Sequence, residues 1–196
     1  MEESFSLYSK LLDNENEQWN YDGISGKRLA SRLDQISKIG LTEQYGSNRP
    51  GFSKAEKQAK DLVASWMKEA GLDVRIDGAG NVIGRLRGRD DHLPAIMSGS
   101  HLDSVPNGGH FDGVLGVLVA LEVVEAWKET GYQPDKPYEV VIFTDEEGAR
   151  FNGGFHGSEA MTGQYELDQI LKQKDGSGLS FEEVLEDIGL SVEGYT

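Results

Sequence analysis

Residues 94–98, PAIMS, are a short apolar run; residues 113–128, GVLGVLVALEVVEAWK, are the most apolar helix-length segment; residues 138–144, YEVVIFT, are rich in β-branched and aromatic side chains. The first and third have the length and composition of buried strands, and the second is long enough only for a helix. Strand, helix and strand in that order make a βαβ unit, so the expected fold is α/β, with a mixed, partly parallel sheet flanked by helices.

N-terminal to this unit, Leu29, Leu33 and Ile36 recur at helical spacing between Ser25 and about Lys38. Ser53 followed by Glu56 reads as a capping box opening a helix that runs to Ala70, stops at Gly71 and buries Ala59, Leu62, Val63 and Trp66. Val74 and Ile76 alternate with polar neighbours, and 81–86 reads as a further strand. Beyond Glu147 the expected helices span 164–173 and 180–188, the latter with Ser180 and Glu183 as a second capping box. Residues 1–24, with Asn14 to Gln18 polar in succession, are expected to form a polar surface extension, and 25–196 to form one folded unit.

The 196 residues carry 19 Lys+Arg against 34 Asp+Glu, a formal net charge of −15, and no cysteine. This acidity argues against a nucleic-acid surface, which needs a basic stripe. Without cysteine there is neither a disulfide scaffold nor a thiolate zinc site, which fits a cytoplasmic location. The longest uncharged apolar run, 113–121, is too short to span a bilayer. The opening MEESFSLYSK lacks the basic and apolar regions of a secretory signal.

Three polar clusters fall at or beyond strand ends, where open α/β sheets bind ligands. In GSHLDS (99–104), His101 and Asp103 are two apart, and a metal-binding imidazole commonly donates its second N–H to a partner such as Asp103. An exposed histidine beside a helix N-cap is the alternative. In NGGHFDG (107–113), glycines flank Asp112, which either approaches a ligand or caps the helix. In TDEEGAR (144–150), three adjacent carboxylates repel one another unless solvated or neutralised by cations. His101, Asp112 and Glu147 together offer one imidazole and two carboxylates, a set suited to zinc, manganese, cobalt or nickel rather than calcium, while Glu146 stays free to act as a base. Two such cations about 3.5–4 Å apart acidify water and polarise a carbonyl, which is hydrolytic chemistry. A purely structural metal is the alternative.

GSHLDSVPNGGHFDGVLGV, VIFTDEEGARF and GSEAMTG closely resemble the amidase, hydantoinase and carbamoylase branch of the dinuclear metallopeptidase superfamily, over about 25–163. The resemblance implies a zinc-peptidase-like catalytic domain in which His101 ligates one metal, Asp112 bridges, Glu147 ligates the other, Glu146 is the general base and Asp103 orients His101. It further implies two divalent ions in the complete enzyme and a small N-carbamoyl or ureido substrate. The family's later histidine ligands and its lid or dimerisation domain lie beyond Thr196, so the chain reads as a truncated catalytic domain that binds metal weakly and needs a C-terminal half or a homodimer partner. His92, His110 and His156 have no ligand role in the pattern and are expected at the surface or in packing. A non-catalytic metal- or partner-binding remnant and an aminoacylase or dipeptidase are the other readings.

Overall fold

The computed structural model describes residues 5–12, 20–151 and 153–195. Four strands form the main sheet: β3 (Asp73–Ile76), β4 (Val82–Leu86), β5 (Ile96–His101) and β6 (Tyr138–Phe143), in the order β3-β4-β6-β5. β4 is antiparallel to both β3 and β6, and β5 runs parallel to β6 from Ile96 opposite Tyr138 to His101 opposite Phe143. The sheet is therefore mixed, as expected, and its parallel pair is the one joined by the long apolar helix α4 (Val114–Thr130).

On α4, Val114, Val117, Leu118, Leu121 and Val124 are buried at helical spacing. They join Val140 and Ile142 of β6 and Leu33 and Ile36 of α2 (Gly26–Ser37) in one core. Helix α3 (Lys54–Glu69) closes it with Ala59, Val63, Trp66 and Met67. Both helices start as their caps dictate: the Ser25 hydroxyl accepts the N–H of Arg28 and the Ser53 hydroxyl that of Glu56. α3 ends at Gly71, whose φ of 95° suits glycine. Arg28 binds Glu122, and Arg32 binds Glu125 at 2.6 Å, tying α2 to α4.

Some expectations fail for physical reasons. The Glu56 carboxylate does not close a capping box on Ser53; it turns inward, accepts the N–H of Phe52 and pairs with Lys60. β5 is an edge strand with Ile96 and Met97 exposed, because its apolar run has a sheet neighbour on one side only among the described residues. The helix expected over 164–173 shrinks to α6 (Leu167–Ile170), since Gln, Glu and Asp there leave little apolar face. A further helix, α5 (His156–Thr162), follows the third polar cluster, and α7 (Phe181–Asp187) has its complete capping box. Phe151, Phe181, Val184 and Leu185 form a second small core around Phe52.

Residues 5–12 are less detached than their polarity suggests. α1 (Leu7–Leu12) buries Leu7, and Asp34 of α2 accepts the N–H groups of Leu7 and Tyr8. The Asn14 to Gln18 stretch lies outside the described residues. Asn20–Tyr21 (β1) and Ile24–Ser25 (β2) make a small hairpin before α2. No helix among the described residues is long and apolar enough to cross a membrane.

Candidate metal centre

Parallel pairing puts the carboxyl ends of β5 and β6 side by side, so the chains leaving them meet at one edge. His101 is the last residue of β5, and Glu146 and Glu147 follow β6. The third contributor arrives through α4. Its N-cap is Gly113, at a φ of 65°, and no side chain caps the helix. Asp112 thus has no capping duty, and its carboxylate projects, largely exposed, toward the ring of His101. One ligand atom each from His101, Asp112 and Glu147 lies within 4.8 Å of the others.

Gly113 allows this approach. A Cβ there would stand 2.5 Å from the His101 ring, and the backbone is already in the left-handed region. His101 itself is buried; its Nδ1 meets the backbone oxygen of Asp103 at 3.1 Å and faces the Asp103 carboxylate at 3.3 Å. A proton on Nδ1 leaves Nε2 as the working nitrogen, pointed at Asp112 (3.9 Å) and Glu146 (3.5 Å). Burial pushes the imidazolium pKa down, but hydrogen bonding and charge from Asp103, with the charge of Glu146, outweigh it and raise the pKa to about 9. The surroundings favour a positive charge at this ring, whether carried by a proton or by a cation.

Asp103 is wholly buried, and its Oδ2 accepts the N–H of Glu147 at 3.0 Å. Its Oδ1 makes no hydrogen bond. Burial raises its pKa, but His101 and the backbone N–H groups of Glu147 and Glu146 prevail and hold it low, so it stays ionised. Glu147 is shifted up, by burial first and then by Asp112, with Asp103 and Glu146 adding to it against the pull of His101. Carboxylates crowded around Glu147, ending on an imidazole, are a donor set that a divalent cation relieves and fits.

The structure divides the three adjacent carboxylates of the sequence. Glu146 and Glu147 face the centre, whereas Asp145 turns the other way at a φ of 47°, fully buried, and pairs with His156 Nδ1. From sequence alone all three form one repelling group and His156 belongs among packing residues. The histidine is indeed in packing, against Phe52 and Tyr165. The separation of Asp145 from its neighbours had no sequence signal beyond the proximity of a histidine. His110 is held between Ser47 and the Tyr45 carbonyl, and His92 is exposed.

Behind the centre, Arg49 is completely buried and donates to the carbonyls of Leu102 and Ile39. Burial pulls its pKa down to about 10, while Asp103 acts to raise it. Arg49 thus fixes the backbone between His101 and Asp103. It too went unread, because an arginine in a Gly- and Pro-containing loop looks like a surface residue.

Residues 97–191 match the profile of peptidase family M20/M25/M40. The chain is 48% identical over 167 residues to an N-carbamoyl-L-amino acid amidohydrolase of Geobacillus stearothermophilus, a match covering 85% of this chain and 41% of that protein. It is 35% identical over 168 residues to the ureidoglycolate hydrolase of Arabidopsis thaliana, covering 85% of this chain and 35% of that one. A solved hydantoinase/carbamoylase family amidase from Burkholderia ambifaria superposes with a TM-score of 0.81 at 39% identity, over 87% of this chain and 42% of that chain. The chain thus spans about two fifths of the length of the curated relatives it matches.

Proposed function

The chain belongs to the hydantoinase/carbamoylase branch of peptidase family M20/M25/M40, and from that premise we propose that it serves metal-dependent hydrolysis of a linear C–N bond. The substrate class is an N-carbamoyl-L-amino acid or a related ureido acid, by analogy with the relatives above and with the probable allantoate deiminase of Oryza sativa. The observation that carries this reading is the convergence of His101, Asp112 and Glu147 with Glu146 beside them.

In this reading His101, Asp112 and Glu147 would be the side chains that hold divalent metal of the zinc, manganese, cobalt or nickel type. When bound, the cations supply Lewis acidity toward the scissile carbonyl and the attacking water. Glu146, about one third exposed and within reach of the same space, takes the proton from that water and delivers it to the leaving nitrogen. Asp103 keeps His101 in the tautomer that presents Nε2. Contacts that select the substrate and complete the coordination come from segments that the longer relatives carry, or from a second subunit. The site works in the cytoplasm, in keeping with the absence of cysteine.

A second reading has its own observation. Among the described residues only one group of three donors converges, and two cations need more. The chain is then a metal-binding unit that does not turn over substrate alone. Ammonia release from N-carbamoyl-L-amino acids and allantoate, assayed with Mn²⁺, Zn²⁺, Co²⁺ or Ni²⁺ with and without the remaining segment of a relative, separates the two. Turnover that requires the added segment and falls about 10²- to 10⁴-fold in Glu146→Gln at unchanged metal content supports the hydrolase. Turnover that survives Glu146→Gln removes Glu146 as the base, and amine without ammonia as product points to an aminoacylase or dipeptidase.

A further inference from the structure

On α3, Glu56 and Lys60 are one helical turn apart and both face inward, with side chains 1% and 8% exposed. A charged pair at this spacing ordinarily lies on the solvated face, and burying one costs several kcal/mol of desolvation per ion, so an apolar pair would serve packing as well or better. We propose that Glu56 and Lys60 are positioning residues for Glu146 and Glu147. The inference rests on the proposed function for what those glutamates do, and on this structure alone for how they are held.

The Lys60 ammonium has three donors and three acceptors. It reaches Glu56 Oε1 at 2.6 Å, the Thr144 hydroxyl at 2.8 Å and the Gly80 carbonyl at 3.2 Å. Glu56 spends its other oxygen on the N–H of Phe52 at 2.6 Å, and Oε1 also receives the N–H of Asp145 at 3.4 Å. The pair therefore grips Thr144 and Asp145, the two residues that follow β6. Thr144 is held on its remaining sides as well: its N–H donates to Asn81 Oδ1 and its carbonyl accepts the N–H of Gly157. The next two residues have fewer ties. The Glu146 carbonyl accepts the N–H of Phe155, and the Glu147 N–H donates to Asp103. The direction in which the glutamates leave the strand is set one and two residues earlier, where α3 takes hold.

A merely structural pair would stabilise the whole fold evenly, whereas a positioning pair controls order at one place. Amide hydrogen exchange of the metal-free chain reads the difference. In Lys60→Met we expect protection of the Asp145, Glu147 and Phe155 amides to fall at least tenfold relative to that of Ile83 and Val141 in the sheet. Co²⁺ titration of the same variant should show binding weakened by about 10- to 100-fold, as for loss of groups that support metal ligands. Exchange that is unchanged, or that accelerates equally at all five amides, overturns the proposal. Should Lys60→Met fail to fold because Glu56 is left unpaired, the double variant Glu56→Met with Lys60→Met removes both charges and is judged by the same exchange pattern. If wild type and His101→Ala take up Co²⁺ alike, the metal reading fails, and the exchange pattern still decides the role of α3.

Discussion

The Asp103 carboxylate stands between the two halves of the centre, facing His101 Nδ1 at 3.3 Å with one oxygen and accepting the Glu147 N–H at 3.0 Å with the other. One side chain thus contacts both the last residue of β5 and the backbone that follows β6. Asp103→Ala is expected to weaken Mn²⁺ or Co²⁺ binding by about 10- to 100-fold, measured by calorimetric titration. Asp103→Asn should lie between the two, since it keeps an acceptor for Glu147 and loses the charge facing His101. Equal affinity in all three proteins would show that Asp103 orients nothing.

Gly113 should tolerate no side chain. Alanine there meets the His101 ring and adopts the φ of 65° at a cost of about 1–3 kcal/mol. Gly113→Ala is predicted to lose metal binding while α4 survives, so circular dichroism stays native and the titration goes flat. Wild-type affinity in this variant would mean that the Asp112 turn is looser than it looks.

Acid should release α1 before it unfolds the rest. Burial raises the pKa of Asp34, but Lys38 and the N–H groups of Tyr8 and Leu7 outweigh it and hold it below the ordinary 3.8. A depressed carboxylate contributes its stability above the unfolded pKa and loses it as pH falls through the folded one. Faster amide exchange at Leu7 and Tyr8 below about pH 4, relative to the exchange expected from pH alone, is the expected sign. Asp34→Asn should reproduce the release at pH 7; tight α1 amides in that variant would contradict it.

The β5 edge should make this chain associate. Ile96 is 56% and Met97 40% exposed, next to backbone groups with no strand partner on that side among the described residues. The net charge of −15 opposes association without satisfying those groups. Sedimentation is expected to show concentration-dependent oligomers that Met97→Lys suppresses. A wild-type monomer at all concentrations would show the edge to be harmless.

Much of this was legible in the chain because its signals are local. Ser53 and Ser180 mark helix starts through hydroxyls that bond N–H groups three residues on, and such bonds need no distant partner. The convergence of His101, Asp112 and Glu147 was legible because strand ends of a βαβ unit meet by topology. What escaped depends on long-range contact. Glu56 looks like a cap until Lys60, Thr144 and Asp145 are seen around it, and Asp145 looks like a third member of its acidic run until His156 appears beside it. Arg49 and the exposed flank of β5 belong to the same class, since burial is decided by what lies opposite and composition is silent about that.

His101, Asp112 and Glu147 all come from a single strand–helix–strand crossover, so one stretch of chain, 101–147, carries all three of these side chains. A cation that binds this arrangement and not the open chain adds RT ln(1 + [M]/Kd) to the folding free energy, about 2.7 kcal/mol at a hundredfold excess over Kd. For such a cation, metal supply during synthesis would act on yield, through mass action on folding.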